Sequence, residues 1–155
     1  MIYILILVII AALDILIKKQ IDKKYEINSE RYILRKTIKV TKHYNKGGFL
    51  NHFESHSGLL KLVSTVILVI VAIFFGFLLP KKGRKLKKTG LALIIGGALS
   101  NEYDRYTKGR VTDYFSINLP IIKRIVFNIG DIAIFVGVLF AFLSGSSHDD
   151  YSDNE

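Results

Sequence analysis

The sequence predicts an all-α membrane bundle of four transmembrane helices with a small extracytoplasmic β-sheet. Half of the 155 residues are hydrophobic and the mean hydropathy is +0.35, which is typical of a membrane protein rather than of a soluble domain. Four apolar stretches are separated by polar or basic segments, and one polar segment alternates in the manner of a strand. The chain has room for one membrane domain, residues 1–143.

The composition also limits the chemistry. The chain contains no cysteine, which excludes disulfides, thiolate ligands and cysteine nucleophiles. Its four histidines form no HxxxH or HExxH pair in a helical segment, so we predict neither a metal site nor a cofactor. The net charge of +9 comes from lysines beside apolar runs rather than from one patch with interleaved aromatics. We therefore predict no nucleic-acid partner, and expect these lysines to face membrane lipids.

The first predicted helix covers residues 2–17 and is interrupted by Asp14. A cleaved signal peptide is the competing interpretation, because Ala11 and Ala12 are small. However, no positive segment precedes the apolar stretch, and Asp14 lies where cleavage would occur. The sequence therefore favours a helix that is retained in the mature protein.

The next segment, residues 18–58, is predicted to be β-rich. Within it, "TIKVTKHYN" sets Ile38 and Val40 against Lys39 and Thr41, the alternation of a half-buried strand. We expect a small sheet at the outer surface of the membrane. Its basic face would suit anionic lipid, although a solvated lysine face that keeps edge strands soluble is an equally good interpretation.

Two further helices are predicted on either side of a basic loop. The second helix, residues 59–79, ends at Pro80, and the loop "PKKGRKLKK" follows. The third helix, residues 89–103, is short and contains a Gly96-Gly97 pair that allows another backbone to approach closely.

The fourth helix is predicted at residues 125–143, with Asn128 and Asp131 near its start. After it, residues 144–155 are polar and acidic, and we expect a disordered cytoplasmic tail. The basic loop after the second helix belongs in the cytoplasm by the positive-inside rule, which makes both termini cytoplasmic. The basic residues of segment 18–58 argue against this orientation, but they are less concentrated at the ends of spans.

Four aspartates lie near the outer ends of the predicted spans, where an ionisable group needs a partner or a function. Asp14 has Lys18 four residues later on the same helix face, which favours a structural ion pair. Asp104 has Arg105 and Arg110 nearby, which again favours an ion pair. Both are therefore interpreted as structural.

Asp113 and Asp131 are the remaining two. They lie at the outer ends of neighbouring elements, so their side chains can meet at one level. Two facing carboxyl groups would share a proton, one acting as a base on water and the other as an acid toward a peptide carbonyl. Separate helix caps or an ion pathway are the alternatives that composition leaves open.

Several motifs around these residues resemble those of the lipoprotein signal peptidases, also called signal peptidase II. "LDILIK" (Leu13–Lys18) resembles LDQxTK, and "YNKGGF" (Tyr44–Phe49) resembles NxGAAF. "GGALSNEYDR" (Gly96–Arg105) is similar to GGAxGNxxDR. "VTDYF" (Val111–Phe115) and "FNIGD" (Phe127–Asp131) are similar to VxDF and FNxAD. The resemblance extends over nearly the whole chain.

The resemblance implies an aspartyl peptidase of the bacterial cytoplasmic membrane that cuts prolipoproteins before the diacylglyceryl-modified cysteine. It implies that Asp113 and Asp131 are the catalytic pair, and that no metal or cofactor is needed. It further implies a β-cradle and a mobile extracellular helix that closes over the substrate. Nothing in the sequence requires more than a monomer. The residues that it assigns to substrate binding are Asn45, Gly47, Asn101, Arg105 and Asn128.

The chain departs from these motifs at several positions. Ile15 and Ile17 replace a polar pair, Ser100 replaces a glycine, Gly130 replaces an alanine, and one small residue before Phe49 is missing. None of these changes removes a carboxyl group of the predicted pair. A paralogue that binds lipopeptides without cutting them, or that cuts other substrates, is the alternative function, and a small ion or proton carrier ranks last.

Overall fold

A computed structural model describes residues 1–45, 57–119 and 125–146 of the chain. This part of the chain forms four α-helices and one sheet of three strands. In chain order the elements are α1 (Ile2–Lys24), β1 (Glu30–Ile33), β2 (Ile38–Asn45), α2 (Ser57–Leu78), α3 (Lys85–Lys108), β3 (Val111–Ile117) and α4 (Ile129–Ser146).

Helix α3 lies at the centre of the bundle and contacts α1, α2, α4 and β3. It approaches α4 closely through glycine: a Cβ atom added at Gly90 would lie 2.6 Å from the carbonyl oxygen of Gly137. One helical heptad further on, a Cβ at Gly97 would overlap the carbonyl oxygen of Gly130. Small residues allow two helix backbones to pack this closely without a hydrophobic driving force. The second contact brings α3 against the residue that precedes Asp131.

The bundle is largely apolar outside, and its interior contains both an apolar cluster around Phe75 and Ile95 and a group of buried polar side chains. Large apolar side chains such as Leu5, Ile70 and Phe142 are exposed, whereas Asp14 and Lys18 are completely buried. In a water-soluble domain charged residues are almost never fully buried unless paired, and large exposed apolar surfaces are rare. Within the described ranges, α2 is the one helix long and apolar enough by hydropathy to cross a membrane, and α4 contains a shorter apolar helix.

The sheet has the strand order β1-β2-β3, with both pairs antiparallel. Strand β3 is an addition to the sequence analysis, which found the alternation of a strand only in "TIKVTKHYN". Its edge pairs with β2, so that His43 lies opposite Asp113 and Asn45 lies opposite Val111. Phe127, just before α4, forms a further bridge to Phe115. The sheet thus connects the end of α3 to the start of α4.

The helix bounds also differ from those predicted. Helix α1 continues past residue 17 to Lys24, and α3 extends in both directions beyond 89–103. The prediction followed apolar runs, but helical hydrogen bonds continue through polar turns whose side chains have partners. For example, the Asp22 carboxylate near the end of α1 accepts from Lys108 Nζ (2.7 Å). Helix α4 starts later than predicted, at Ile129, because Asn128 caps it.

Three sequence predictions concern residues outside the described ranges. Gly47 lies in the segment 46–56, and most of the predicted tail, residues 147–155, lies beyond the last described residue. Its first three residues, 144–146, instead continue α4. The predicted mobile extracellular helix follows the strands, where segments 46–56 and 120–124 are likewise outside those ranges.

The close approach of α3 and α4 makes a stability prediction. Changing Gly90→Ala adds a methyl group against the backbone of α4, and we expect it to destabilise the fold by about 1–3 kcal/mol. The matched control is Gly76→Ala, because a Cβ at Gly76 on α2 meets nothing within 4 Å. Thermal unfolding in detergent should give a lower midpoint for the first variant and an unchanged or higher one for the second. Equal midpoints for both variants would contradict the tight α3–α4 contact.

Candidate active site

Asp131 is held at the first turn of α4 by a reciprocal pair of hydrogen bonds with Asn128. The side-chain oxygen of Asn128 accepts from the Asp131 backbone N–H (2.8 Å), and the Asn128 backbone N–H donates to Asp131 Oδ2 (3.1 Å). This is a capping box, in which the residue before the helix and the third helical residue satisfy each other's backbone donors. The spacing in "FNIGD" contains this signal, which the sequence analysis did not use. The box fixes the rotamer of Asp131.

The remaining polar group of the Asn128 side chain reaches the second carboxyl group. Asn128 Nδ2 donates to Asp113 Oδ1 (2.6 Å), so one amide contacts both aspartates. Asp113 lies on β3 and is 2% exposed, and Asn45 Nδ2 donates to its Oδ2 (3.2 Å) from the end of β2. The structure therefore brings Asp113 and Asp131 to the same site. Asn128 is fully buried between them, so its geometry suits holding the pair rather than contacting a substrate.

Asn101 connects Asp131 to a buried cation. Its Nδ2 donates to Asp131 Oδ1 (2.9 Å), and its Oδ1 accepts from Lys18 Nζ (2.7 Å). An ammonium group can only donate, so the amide oxygen must face Lys18 and the NH₂ group must face Asp131. The orientation of Asn101 is thereby determined by its two partners.

Lys18 in turn belongs to a network around Asp14. Its Nζ lies 2.7 Å from Asp14 Oδ2, and both side chains are completely buried. Ser100 Oγ donates to the same carboxylate oxygen (2.6 Å), and the Tyr114 hydroxyl donates to Oδ1 (2.8 Å). A buried charge is tolerated when it is paired and hydrogen-bonded, as it is here. The sequence analysis paired Asp14 with Lys18 but missed both hydroxyl donors, because they lie far away in the chain.

Asp104 and Arg105 have different partners from those expected. Asp104 Oδ1 lies 2.7 Å from Lys108 Nζ, one helical turn away, and its Oδ2 accepts from the Thr112 backbone N–H (3.0 Å). Arg105 instead pairs with Glu102 (3.0 Å), because residues at adjacent positions point to different sides of a helix. Asp104 therefore joins the end of α3 to β3.

The surroundings of Asp113 favour its neutral form. Burial raises the pKa of Asp113 to about 7, and the negative charge of Asp131 acts in the same direction. The amide donors Asn45 and Asn128 oppose this rise, since they stabilise the charged form. Two interacting carboxyl groups titrate as a pair. Near neutral pH, such a pair holds one proton that can be moved.

A cavity of about 570 Å³ opens beside the two aspartates. Asp113, Asp131, Asn45, Asn101 and Arg105 lie at its polar end. Apart from Ser64 and Glu102, the rest of its wall is apolar and comes mainly from α2, α3 and α4, with Leu68, Ile94 and Phe135 as examples. The arrangement suits a ligand that has a polar backbone at one end and apolar chains at the other. Within the three described ranges, no three His, Asp or Glu side chains are grouped so that they could hold a metal ion.

Comparison with known proteins gives consistent matches along the chain. The model of a family described as signal peptidase (SPase) II matches residues 6–146. The lipoprotein signal peptidase of Wigglesworthia glossinidia brevipalpis is 34% identical over 135 residues, which is 87% of this chain and 88% of that protein. The lipoprotein signal peptidase of Halalkalibacterium halodurans is 32% identical over 148 residues, covering 92% and 90% of the two chains.

Two solved structures of bacterial membrane enzymes, both obtained by the in meso method, have the same fold. One has a TM-score of 0.77 at 23% identity and covers 94% of this chain and 93% of its own. The other has a TM-score of 0.79 at 22% identity, with coverages of 99% and 94%.

The raised pKa of Asp113 predicts how stability depends on pH. An unfolded aspartate loses its proton near pH 4, whereas folded Asp113 keeps it to about pH 7, so the native state binds more protons in this window. Stability should fall as pH rises from 4 to 7, by on the order of 1 kcal/mol per pH unit from this group. Asp113→Asn should remove that contribution, which thermal unfolding of both proteins in detergent at pH 5 and 8 would measure.

The control for this measurement is Glu30→Gln, which changes an exposed carboxyl group on the same sheet. It should retain the pH dependence of the wild type. A drop between pH 5 and 8 of the same size in wild type and Asp113→Asn would mean that Asp113 is ionised throughout, contrary to its position.

Proposed function

The chain belongs to the signal peptidase II family, proteases of the aspartic type, and we propose that it removes signal peptides from prolipoproteins with Asp113 and Asp131 as its catalytic pair. The observation that carries this assignment of residues is the bridge through Asn128, which contacts both carboxyl groups beside one cavity.

The pair would act by general acid–base catalysis. Asp113 keeps the shared proton, because its pKa is raised by burial and by the neighbouring charge. Asp131, whose carboxylate accepts from Asn101 and from the Asn128 backbone, removes a proton from water as the water attacks the peptide carbonyl. Asp113 donates its proton to the carbonyl oxygen, which gives a tetrahedral gem-diol. As the C–N bond breaks, the proton on Asp131 passes to the leaving nitrogen, and Asp113 takes a proton back from one gem-diol hydroxyl to form the carboxylic acid product. The pair ends with one proton, as it began.

The cavity suits a substrate that enters from lipid. Its apolar walls can take the hydrophobic part of a signal peptide and the acyl chains of a modified cysteine. Peptide groups in hydrocarbon are poorly hydrated, so polar groups have to receive them at the point of cleavage. Asn45 and Arg105 lie at that end of the cavity and are our candidates for contact with the substrate backbone. Glu102 pairs with Arg105, which leaves a nearly neutral site suited to peptide carbonyls.

We also propose that all four helices span the membrane, with both termini in the cytoplasm. Helices α1 and α3 have 23 and 24 residues, a length sufficient for a bilayer core of about 30 Å. Their charged residues lower their average hydropathy, but Asp14, Lys18 and Asp104 face the interior of the bundle. The basic segment 80–88, a short loop followed by the first turn of α3, lies at the opposite end of α3 from Arg105. With that loop in the cytoplasm, the aspartates lie near the outer surface.

The catalytic assignment is tested by removing one carboxylate at a time. Asp113→Asn and Asp131→Asn should each lower cleavage of a diacylglyceryl-modified precursor peptide by on the order of 10³-fold or more, because neither amide can exchange the shared proton. Glu30→Gln serves as the control and should cleave like the wild type. Cleavage is measured with purified protein in detergent or lipid by separating the product peptides.

Substantial activity in either aspartate variant would exclude this pair as the catalytic group. Binding of the precursor by the wild type without any product would instead indicate the non-catalytic paralogue considered from the sequence. Cleavage of other lipopeptides only would indicate a paralogue of altered specificity.

A further inference from the structure

Tyr114 follows Asp113 on β3 and points to the opposite face of the strand, since successive side chains alternate. Its side chain is buried, and its hydroxyl joins two parts of the bundle. It donates to Asp14 Oδ1 on α1 (2.8 Å) and accepts from the backbone N–H of Ile129 (3.0 Å). The backbone N–H of Tyr114 also donates to the Phe127 carbonyl oxygen (2.9 Å). One residue therefore connects β3 both to α1 and to the start of α4.

The start of α4 is a sensitive place for such a connection. Ile129 is the first residue of the helix, between Asn128 and Asp131 in the capping box. Its N–H is also within hydrogen-bonding distance of Asp14 Oδ1 (3.1 Å). Any displacement of Ile129 would move Asn128 and Asp131 together. Asp113 is the neighbour of Tyr114 on β3, and Asp131 lies in the first turn of α4. The Tyr114 hydroxyl therefore holds the strand that carries Asp113 against the helix that carries Asp131.

Asp14 receives hydrogen bonds from hydroxyl groups on other elements of the fold. Residues 15 and 17, close to Asp14 on α1, are isoleucines and offer no polar group. Besides the Ile129 backbone N–H, two side chains from other elements donate to Asp14: Ser100, which stands where the motif quoted above has glycine, and Tyr114, which stands where it has phenylalanine. Ser100 Oγ also accepts from Lys18 Nζ (3.1 Å). Two hydroxyl groups on α3 and β3 thus support the buried carboxylate on α1.

We propose that the hydroxyl groups of Tyr114 and Ser100 are positioning groups of the peptidase, which hold Asp14 against the first turn of α4 and so set the separation of Asp113 and Asp131. Neither residue contacts the reacting atoms. Burial and the neighbouring Asp14 raise the pKa of Tyr114, so its hydroxyl keeps its proton and is a donor at every pH at which the enzyme works. The inference rests on the catalytic assignment proposed above.

The test is Tyr114→Phe, which removes the hydroxyl and keeps the buried ring. We expect kcat to fall by about 10-fold to 100-fold with little change in KM, because a hydrogen bond to a charged group is lost while the cavity is unchanged. The upper limb of the pH profile of kcat should also move to lower pH, on the order of half a unit, because carboxyl groups held further apart repel each other less. Ser100→Ala should change kcat in the same direction, and it provides a second variant if Tyr114→Phe does not fold.

The matched control is Tyr44→Phe, because Tyr44 lies on the adjacent strand and its hydroxyl donates to another aspartate, Asp22 (3.3 Å). This variant should keep the kcat and pH profile of the wild type even if its unfolding midpoint falls. The route through Asp14 is tested by adding Tyr114→Phe to Asp14→Asn. In the Asp14→Asn background we expect Tyr114→Phe to change kcat by less than about 2-fold, since the effects of substitutions at coupled groups are not additive.

The outcomes separate the two proposals. If the wild type cleaves and Asp113→Asn does not, but Tyr114→Phe and Ser100→Ala retain the kcat and pH profile of the wild type, the positioning role is overturned and the catalytic pair stands. A full effect of Tyr114→Phe in the Asp14→Asn background also overturns it. If the wild type does not cleave, the catalytic assignment fails and the positioning role fails with it.

Discussion

The capping box between Asn128 and Asp131 is the interaction on which the site depends. It satisfies backbone donors at the start of α4, which any buried helix end requires, and in doing so it fixes one carboxyl group. The amide nitrogen left over from this local interaction then binds Asp113. The Asn128 side chain thus both caps helix α4 and holds Asp113 beside Asp131.

The second constraint is that the charges of this site lie in apolar surroundings. A carboxylate there needs donors that are already in place, because no solvent can rearrange around it. Lys18, Ser100 and Tyr114 supply these donors for Asp14. Asn101 accepts a hydrogen bond from Lys18 and donates one to Asp131, so the orientation of its amide is fixed as well. Among the described residues, Asp113 has amide donors but no cation in direct contact, and burial raises its pKa toward neutrality. The two kinds of environment separate a structural carboxylate from one that can exchange a proton.

Backbone packing makes these contacts possible. The glycine contacts between α3 and α4 bring Asn101 close to Asp131, and the neighbouring face of α3, with Gly96 and Ser100, packs against α1. A larger residue at Gly97 would push α4 away, and the capping box would move with it. The buried hydrogen bonds between helices therefore depend on the tight glycine contacts, because such bonds form only where the helices are close together.

Much of this was accessible from the sequence. The family resemblance predicted from the motifs is confirmed by the family model, and a mostly helical fold with a small sheet is confirmed by the structure. The spacings Asp14–Lys18 and Asn128–Asp131 determine local contacts by themselves, since residues three or four apart share a helix face or a cap. The apolar run of α2 predicts its helix for a similar reason: length and hydropathy are properties of one segment.

Only the tertiary structure decided which distant groups meet. The hydroxyls of Ser100 and Tyr114 lie 86 and 100 residues from Asp14 in the chain, and no local spacing relates them. Strand β3 exists because β2 pairs with its edge, which is why its short sequence did not identify it. Lys108, rather than either arginine, became the partner of Asp104 once helix α3 extended to that turn. Local patterns depend on the geometry of one helix or strand, whereas these contacts depend on how closely separate elements pack.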